Sequence, residues 1–163
     1  MPKPVDKQAL LKALVAALVE SRDRLAAAQR VSQEGVTHED ARSEGDKDMR
    51  ATEASYVARG QAMRVEALEA DLARAQALKV RAFAEDDPIA LAALVTIGAE
   101  EGERVVFLAP AGGGVRLEAS GTAVHVVTPS SPLGRALLGA RVGDVVTYER
   151  AGKAEEVEIV ALA

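Results

Sequence analysis

The chain has 163 residues, a formal net charge of −5 and no cysteine, so disulfides, thiolate zinc sites and cysteine nucleophiles are excluded. Aromatic residues make up only 2% of the chain, which argues against a surface that stacks nucleic-acid bases. The acidic balance predicts no strong nonspecific binding to DNA and favours a protein partner with a basic surface. No apolar run is long enough to span a membrane and no export signal opens the chain, so we expect a cytoplasmic protein.

The first half of the sequence is typical of two long helices. Asp6, which follows Pro4, is a suitable N-cap for the first helix, and the second helix is predicted from about Met49 to Arg81. Each helix carries the alternating three- and four-residue spacing of a coiled-coil seam: Leu11, Leu14, Leu18, Ser21, Leu25 and Ala28, then Val65, Leu68, Leu72 and Ala75. Helices joined by a short connection run antiparallel. The sequence therefore predicts an antiparallel α-helical coiled-coil hairpin over residues 1–82, roughly 45 Å long at 1.5 Å per residue.

The predicted connection between the helices, residues 34–48, is polar and acidic. Gly45 is a natural helix breaker there, and the carboxylates concentrate near residues 39–48: Glu39, Asp40, Glu44, Asp46 and Asp48. Such a cluster is usually a solvated turn. Carboxylates are also the ligands that Mg²⁺ prefers, so the same residues could serve a metal-directed function.

The second half of the sequence, residues 83–163, is typical of a small α+β domain with an antiparallel sheet. A turn is expected at Gly112–Gly114, and Pro132–Gly139 is predicted as one short helix that begins at proline and is closed by glycine. Six strands are predicted: Ala92–Ile97, Arg104–Leu108, Val115–Glu118, Ala123–Val127, Val145–Glu149 and Val157–Ala161.

Three motifs in this chain resemble the GreA/GreB transcript-cleavage factors. The segment Thr128–Gly139, with Val142–Val146 and Val157–Val160, resembles their C-terminal domain, while Ala41–Asp46 and Arg64–Glu69 are similar to the tip and second helix of their hairpin. The resemblance covers nearly the whole chain. It implies an FKBP-like C-terminal domain that docks on RNA polymerase at the secondary channel and a hairpin that enters the channel. Residues of the docking motif, which are then expected to contact the polymerase, are Ser131, Pro132, Leu133, Gly134 and Arg135.

The tip departs from the family's Gly-Asp-x-x-Glu pattern. Asp46 matches the first acid, but Met49 occupies the position of the glutamate. Asp48 is the nearest substitute and Glu44 a further candidate. The resemblance implies that Asp46 acts on the catalytic Mg²⁺ of the polymerase, and we expect Asp48 to be the candidate for the second acid. Whether the tip stimulates cleavage of backtracked RNA or acts by occupying the channel stays open.

We therefore expect a bacterial transcription elongation factor that is not an enzyme on its own. It would have no cofactor of its own, no sequence-specific contact with DNA, no membrane partner and a monomeric state. The alternative is a peptidyl-prolyl isomerase or chaperone, which an FKBP-like fold would suggest. Isomerase pockets of that fold are lined with aromatic residues, and only Phe83, Phe107 and Tyr148 could contribute here. A coiled-coil scaffold without chemistry would leave the motif at 129–143 unexplained.

Overall fold

The computed structural model describes residues 3–39 and 47–163. The α+β class is confirmed: two long helices precede a six-stranded sheet that carries one short helix. The described chain falls into two compact units, one formed by residues 18–72 and the other by residues 3–17 together with 73–163. The domain boundary expected near residue 82 stays a prediction. Within the described ranges, no helix is both long and apolar enough to cross a bilayer.

The first helix, α1, spans Lys7–Glu39, and the second, α2, spans Lys47–Ala77. Asp6 is the N-cap as predicted, because its carboxylate accepts hydrogen bonds from the backbone amides of Gln8 (2.9 Å) and Ala9 (3.4 Å). Residues 34–39 were expected in the connection but are helical. The second helix stops four residues before Arg81, where the amide of Leu78 bonds to the carbonyl of Ala75 and closes a tighter last turn.

The seam of α2 is confirmed and extends further toward the connection than the sequence analysis placed it. Leu72 and Ala75 are buried, and the less exposed positions continue backward with the same spacing. They are Ala54, Ala58, Gln61, Val65 and Leu68. Half-buried residues at heptad spacing are expected where two helices face each other.

The predicted seam of α1 is right at Leu14, Leu18 and Leu25 but wrong at Ser21 and Ala28, which are exposed. The half-buried positions there are one residue further along, at Arg22 and Gln29. At the start of the seam the fully buried residue is Leu10, and the predicted Leu11 is only half-buried. The shift follows from three successive steps of four residues, from Leu10 to Leu14, Leu18 and Arg22. An α-helix has about 3.6 residues per turn, so a strict seven-residue repeat drifts, and added steps of four move the seam forward.

Six strands form one sheet in the order β3-β4-β2-β1-β6-β5. Their bounds are β1 Leu94–Ala99, β2 Gly102–Leu108, β3 Arg116–Ala119, β4 Thr122–Val127, β5 Val145–Arg150 and β6 Lys153–Leu162. All six predicted strands are present. One neighbouring pair, β2 with β4, runs parallel, with Phe107 opposite Val126. The sheet is therefore mixed, whereas the sequence analysis predicted an antiparallel one.

The short helix α3, Pro132–Leu137, packs against β5 and covers one face of the sheet. Apolar side chains from alternate strand positions meet Leu137 of this helix, as expected where every second residue faces the core. The buried members of this core are Phe83, Ile89, Ala93, Val95, Ile97, Val106, Leu108, Leu137, Tyr148, Val157 and Ile159.

Phe83 also organises the segment that follows α2. The Lys7 ammonium lies 4.9 Å from the centre of its ring and the Arg81 guanidinium lies 4.0 Å from it. The Lys7 amine donates hydrogen bonds to the carbonyls of Arg81 and Ala92. Burial, with a smaller contribution from the charge of Arg81, lowers the pKa of Lys7. These contacts hold the first turn of α1 against the chain after α2, within one compact unit.

Candidate partner-binding site

The segment 128–138, called the α3 segment below, contains all five residues predicted to contact a partner. Ser131 is the N-cap of α3 in an extended conformation, with φ −71° and ψ 153°, and Pro132 occupies the first turn. The Ser131 hydroxyl donates to the carbonyl of Thr128 at 2.8 Å and accepts from the amide of Gly134 at 3.0 Å. Both hydrogen-bonding capacities of this half-buried hydroxyl are thus used inside the segment.

Gly134 has a steric role rather than a conformational one. A Cβ atom at this position would lie 1.8 Å from the Thr128 carbonyl oxygen, far inside van der Waals contact. Because Thr128 already bonds to Ser131, the carbonyl cannot move away without breaking the cap. Any residue other than glycine would therefore disrupt the start of α3.

The remaining residues of the segment differ in their exposure. Leu133 is half-buried and packs at the edge of the core. Pro132 and Arg135 are exposed, and the Arg135 guanidinium donates to the carbonyl of Ser130 at 2.9 Å. Leu138, which ends the helix, is 40% exposed. A partner could therefore touch Pro132, Arg135 and Leu138, while Ser131 and Gly134 shape the backbone that presents them.

A cleft of about 590 Å³ opens beside this segment. Its walls come from α3 and from strands β2, β4 and β5, and they combine apolar and ionisable side chains. Lining residues from these elements include Pro132, Leu133, Val106, His125 and Tyr148. His125 lies in β4, as the sequence analysis predicted. Tyr148 is the one aromatic side chain among the residues that line the cleft.

A polar network that sequence reasoning missed lies at the wall of the cleft. The Arg104 guanidinium is 2.6 Å from one oxygen of Glu155 and donates to the Tyr148 hydroxyl at 3.2 Å. The Tyr148 hydroxyl in turn donates to the other Glu155 oxygen at 2.8 Å. These hydrogen bonds join β2, β5 and β6 at three points.

The network changes the pKa of two of its members in opposite directions. Burial, together with the hydrogen bond to Glu155, raises the pKa of Tyr148, so this phenol remains protonated at neutral pH. The hydrogen bond from Tyr148 lowers the pKa of Glu155, and the charges of Arg104 and Arg150 add to this effect. The charge of the Glu155 carboxylate is therefore already compensated by Arg104, Tyr148 and Arg150, which line the cleft.

The pairing register of strands β5 and β6 is the feature from which part of this network could have been predicted. The antiparallel pairing of β5 and β6 puts Tyr148 directly opposite Glu155. Positive φ angles at Ala151 and Gly152 form the tight turn that fixes this pairing. Arg104 comes from the far side of β1, and its position depends on the order of the strands in the sheet.

The predicted tip acids Glu44 and Asp46 lie outside the described residues. Asp48 falls in the first turn of α2, but its side chain is likewise outside the described part of the chain. Met49, at the position where the family resemblance leads one to expect a glutamate, is 78% exposed. Among the residues that the structure describes, no cluster of three or more potential metal ligands occurs.

Comparison with known proteins gives one family match and several similar structures. Residues 115–163 match the family described as transcription elongation factor GreA/GreB, C-terminal. The GreA factor homolog 1 (Gfh1) of Thermus thermophilus is 23% identical over 93% of this chain and 96% of its own, with a TM-score of 0.39. Gfh1 of Thermus aquaticus is 23% identical over 93% and 94%, with a TM-score of 0.40.

A GreA/GreB factor from Nitrosomonas europaea is 24% identical over 61% of this chain and 78% of its own, with a TM-score of 0.36. No curated protein matches the chain. The family match contains the α3 segment and strands β3 to β6. It confirms the resemblance for that part of the chain.

Proposed function

We propose that this chain, whose residues 115–163 match the C-terminal GreA/GreB family, is a transcription elongation factor that binds RNA polymerase at its secondary channel. The observation that carries the proposal is the family match over the α3 segment. Two helices of 33 and 31 residues precede this domain. The predicted tip acids Glu44 and Asp46 lie between them in sequence, and Asp48 lies at the start of the second helix. This order of a helical hairpin followed by a docking domain is the one that the family resemblance implies.

The exposed part of the α3 segment is proposed as the docking surface. Pro132 and Leu138 offer apolar contacts, and Arg135 adds a charge whose guanidinium is already oriented by the carbonyl of Ser130. An arginine held in place loses less side-chain entropy on binding than a free one. Arginine is also enriched among residues that dominate interface energies.

Charge reversal tests this docking surface. We expect Arg135→Glu to weaken binding to purified RNA polymerase roughly tenfold, as for loss of a paired charge within an interface. Lys79→Glu is the matched control, because Lys79 is an exposed cation outside the α3 segment, and its binding should stay within about twofold. Equal loss in both variants would mean that net charge, and not the α3 segment, controls binding.

The tip is proposed to act on the catalytic Mg²⁺ of the polymerase through Asp46 and Asp48. Two delivered carboxylates can hold a second metal ion and orient a water molecule for attack on RNA. Asp46→Ala with Asp48→Ala should abolish the effect on transcription and leave polymerase binding within about twofold, since the docking surface is unchanged. Transcript assays on backtracked complexes measure the effect on transcription, and binding assays with purified polymerase measure the affinity.

The Met49→Glu variant distinguishes a factor that stimulates RNA cleavage from one that only occupies the channel. The substitution restores the family's acid three positions after Asp46. Increased RNA cleavage would identify a cleavage factor that lacks one ligand, whereas inhibition without cleavage in both proteins would identify an occluding factor. A double alanine variant that behaves like the unmodified protein in every transcription assay would contradict a functional tip.

The isomerase alternative finds little support in the cleft. Phe107 is fully buried and does not line it, and Tyr148 is bound to Arg104 and Glu155. A proline-containing peptide would meet one tyrosine there, in place of the aromatic cage that such pockets use. The elongation-factor proposal is therefore the one that the residues favour.

A further inference from the structure

Strand β3 lies at one edge of the sheet and pairs on one side only, with β4. The Val126 amide donates to the carbonyl of Val115, and hydrogen-bonded and non-hydrogen-bonded pairs alternate along an antiparallel ladder. Leu117 therefore bonds toward β4, while the backbone amides and carbonyls of Arg116 and Glu118 point away from the sheet. Within the described part of the chain, no strand pairs with these outward groups, which we call the free edge of β3.

The free edge carries two side chains of opposite charge. Arg116 and Glu118 are both exposed, and residues two apart in a strand project from the same face of the sheet. Neither of them forms an ion pair with another residue that the structure describes. Charged residues often protect an edge strand from pairing, and like charges would do so by repulsion. Because these two charges differ in sign, the edge does not repel a second copy of itself.

Two antiparallel copies of β3 match in both hydrogen bonds and charge. A two-fold axis perpendicular to the sheet and level with Leu117 places Arg116 of one copy directly opposite Glu118 of the other, because each lies one residue from Leu117. Both residues point their backbone groups outward, so each of these two pairs can exchange two hydrogen bonds. Directly opposite side chains share one face of the sheet, with Cβ atoms about 4.5–5.5 Å apart. Each backbone pair is therefore accompanied by an ion pair.

The other edge strand, β5, does not offer this match. The Ile159 amide donates to the carbonyl of Asp144, so the same alternation points Val145, Thr147 and Glu149 outward. These three residues include no cation, and a two-fold axis level with the middle one places Glu149 opposite Val145. Of the two edges of the sheet, β3 is thus the one whose charges are complementary to themselves.

We infer that two copies of this chain associate by antiparallel pairing of their β3 strands, so that one sheet continues across a two-fold axis. The same patch serves on both copies, as in other isologous dimers. β3 has only four residues, and a contact of this length is smaller than the roughly 1,200 Å² that stable complexes bury. The dimer is therefore weak and forms at high chain concentration. The inference does not depend on the proposed function, because it concerns only the edge of the sheet and a second copy.

Charge exchange on the full-length chain tests the inference. Arg116→Glu and Glu118→Arg each replace two opposite-charge pairs by two like-charge pairs, so each should raise the dimer dissociation constant roughly tenfold. The double variant restores both pairs with reversed sign and should return to within about twofold of the unmodified chain. Sedimentation velocity from micromolar to millimolar concentration measures these constants.

A proline variant tests the backbone hydrogen bonds separately from the charge. Glu118→Pro removes an amide that points outward, so the chain keeps its own bonds between β3 and β4, and proline is tolerated at such edge positions. Glu118→Gln is the comparison, because it removes the same charge and keeps the amide. We expect the dissociation constant to rise about threefold in Glu118→Gln and more than tenfold in Glu118→Pro. Should the proline variant fail to fold, the charge exchange decides alone.

Glu156→Arg is the matched control, because Glu156 is an exposed acid on β6, which has a neighbouring strand on each side. It should leave the dissociation constant unchanged, and circular dichroism should show the same fold in all variants. A monomer at every concentration would overturn the inference and support the monomeric state expected from the sequence. A dimer that resists the single reversals, or that the double variant does not restore, would also overturn it.

A different occupant of the free edge is distinguished in the same set of variants. If no variant self-associates but Glu118→Pro weakens binding to RNA polymerase, the free edge pairs with a strand of the polymerase and the inference of a second copy is wrong. Failure of the proposed function would show instead as loss of all polymerase binding, with the dimer and its charge dependence intact.

Discussion

In the α3 segment, polar groups are bound by the segment's own backbone, whereas α2 carries large side chains that the fold leaves exposed. Ser131 bonds to Thr128 and Gly134, and Gly134 is required by the space that Thr128 occupies. Met49, Tyr56 and Met63 have most of their surface in solvent. A motif recognised in a sequence can therefore record backbone geometry as well as contacts with a partner.

The largest expected effect comes from Gly134→Ala, which tests the structural half of this comparison. A Cβ atom 1.8 Å from the Thr128 oxygen forces the cap apart, and we expect the free energy of unfolding to fall by about 3 kcal/mol or more. Chemical denaturation of the full chain measures the loss. A variant with unchanged stability that loses polymerase binding would show that Gly134 serves the partner and not the cap.

Much of the fold could be predicted because its elements have clear local patterns. The six strands and α3 follow from alternating apolar residues, from Pro132 and from Gly139, whose φ is 79°. The parallel pairing of β2 with β4 could not be predicted in the same way. Alternation of apolar residues has the same period in parallel and antiparallel strands, so it contains no information on direction.

Only the residues of the candidate site that lie in one short segment could be predicted from the sequence. Residues 131–135 are contiguous, and a motif match finds them directly. Arg104 and Glu155 are 51 residues apart and meet only after the strand order and register are fixed. The shift of the α1 seam from Ser21 to Arg22 has a similar origin, because it depends on a drift that accumulates over several turns.

Glu155→Gln tests whether the polar network beside the cleft stabilises the fold, as the hydrogen bonds of the α3 segment do. The pKa of Glu155 is lowered from its ordinary value of 4.5 in the folded chain, so its charge stabilises the fold above that pH, and the stabilisation is lost as the pH falls through the folded pKa. At neutral pH the variant should lose on the order of 1 kcal/mol through its weaker bonds to Arg104 and Tyr148. Denaturation from pH 7 to pH 3 should show this difference shrinking on the acid side.

A constant difference between the two proteins over the whole pH range would contradict this role of the charge. Arg150→Gln is a control, because Arg150 lies 3.6 Å from Glu155 and is more exposed than Arg104. Exposed ion pairs contribute little, so its effect on stability should be the smaller one at every pH.

Gly60→Ala has the smallest expected effect and tests the other half of the comparison. The helix interior around Gly60 is open, with no atom within 4 Å of an added Cβ, so alanine should raise the free energy of unfolding by about 0.5–1 kcal/mol. Ala70→Gly, at another exposed position of α2, should lower it by a similar amount and serves as the reverse control. If Gly60→Ala stabilises the chain and also weakens binding to RNA polymerase, the glycine is retained for a contact outside the single chain. A loss of stability would mean that the fold itself requires glycine at this position of α2.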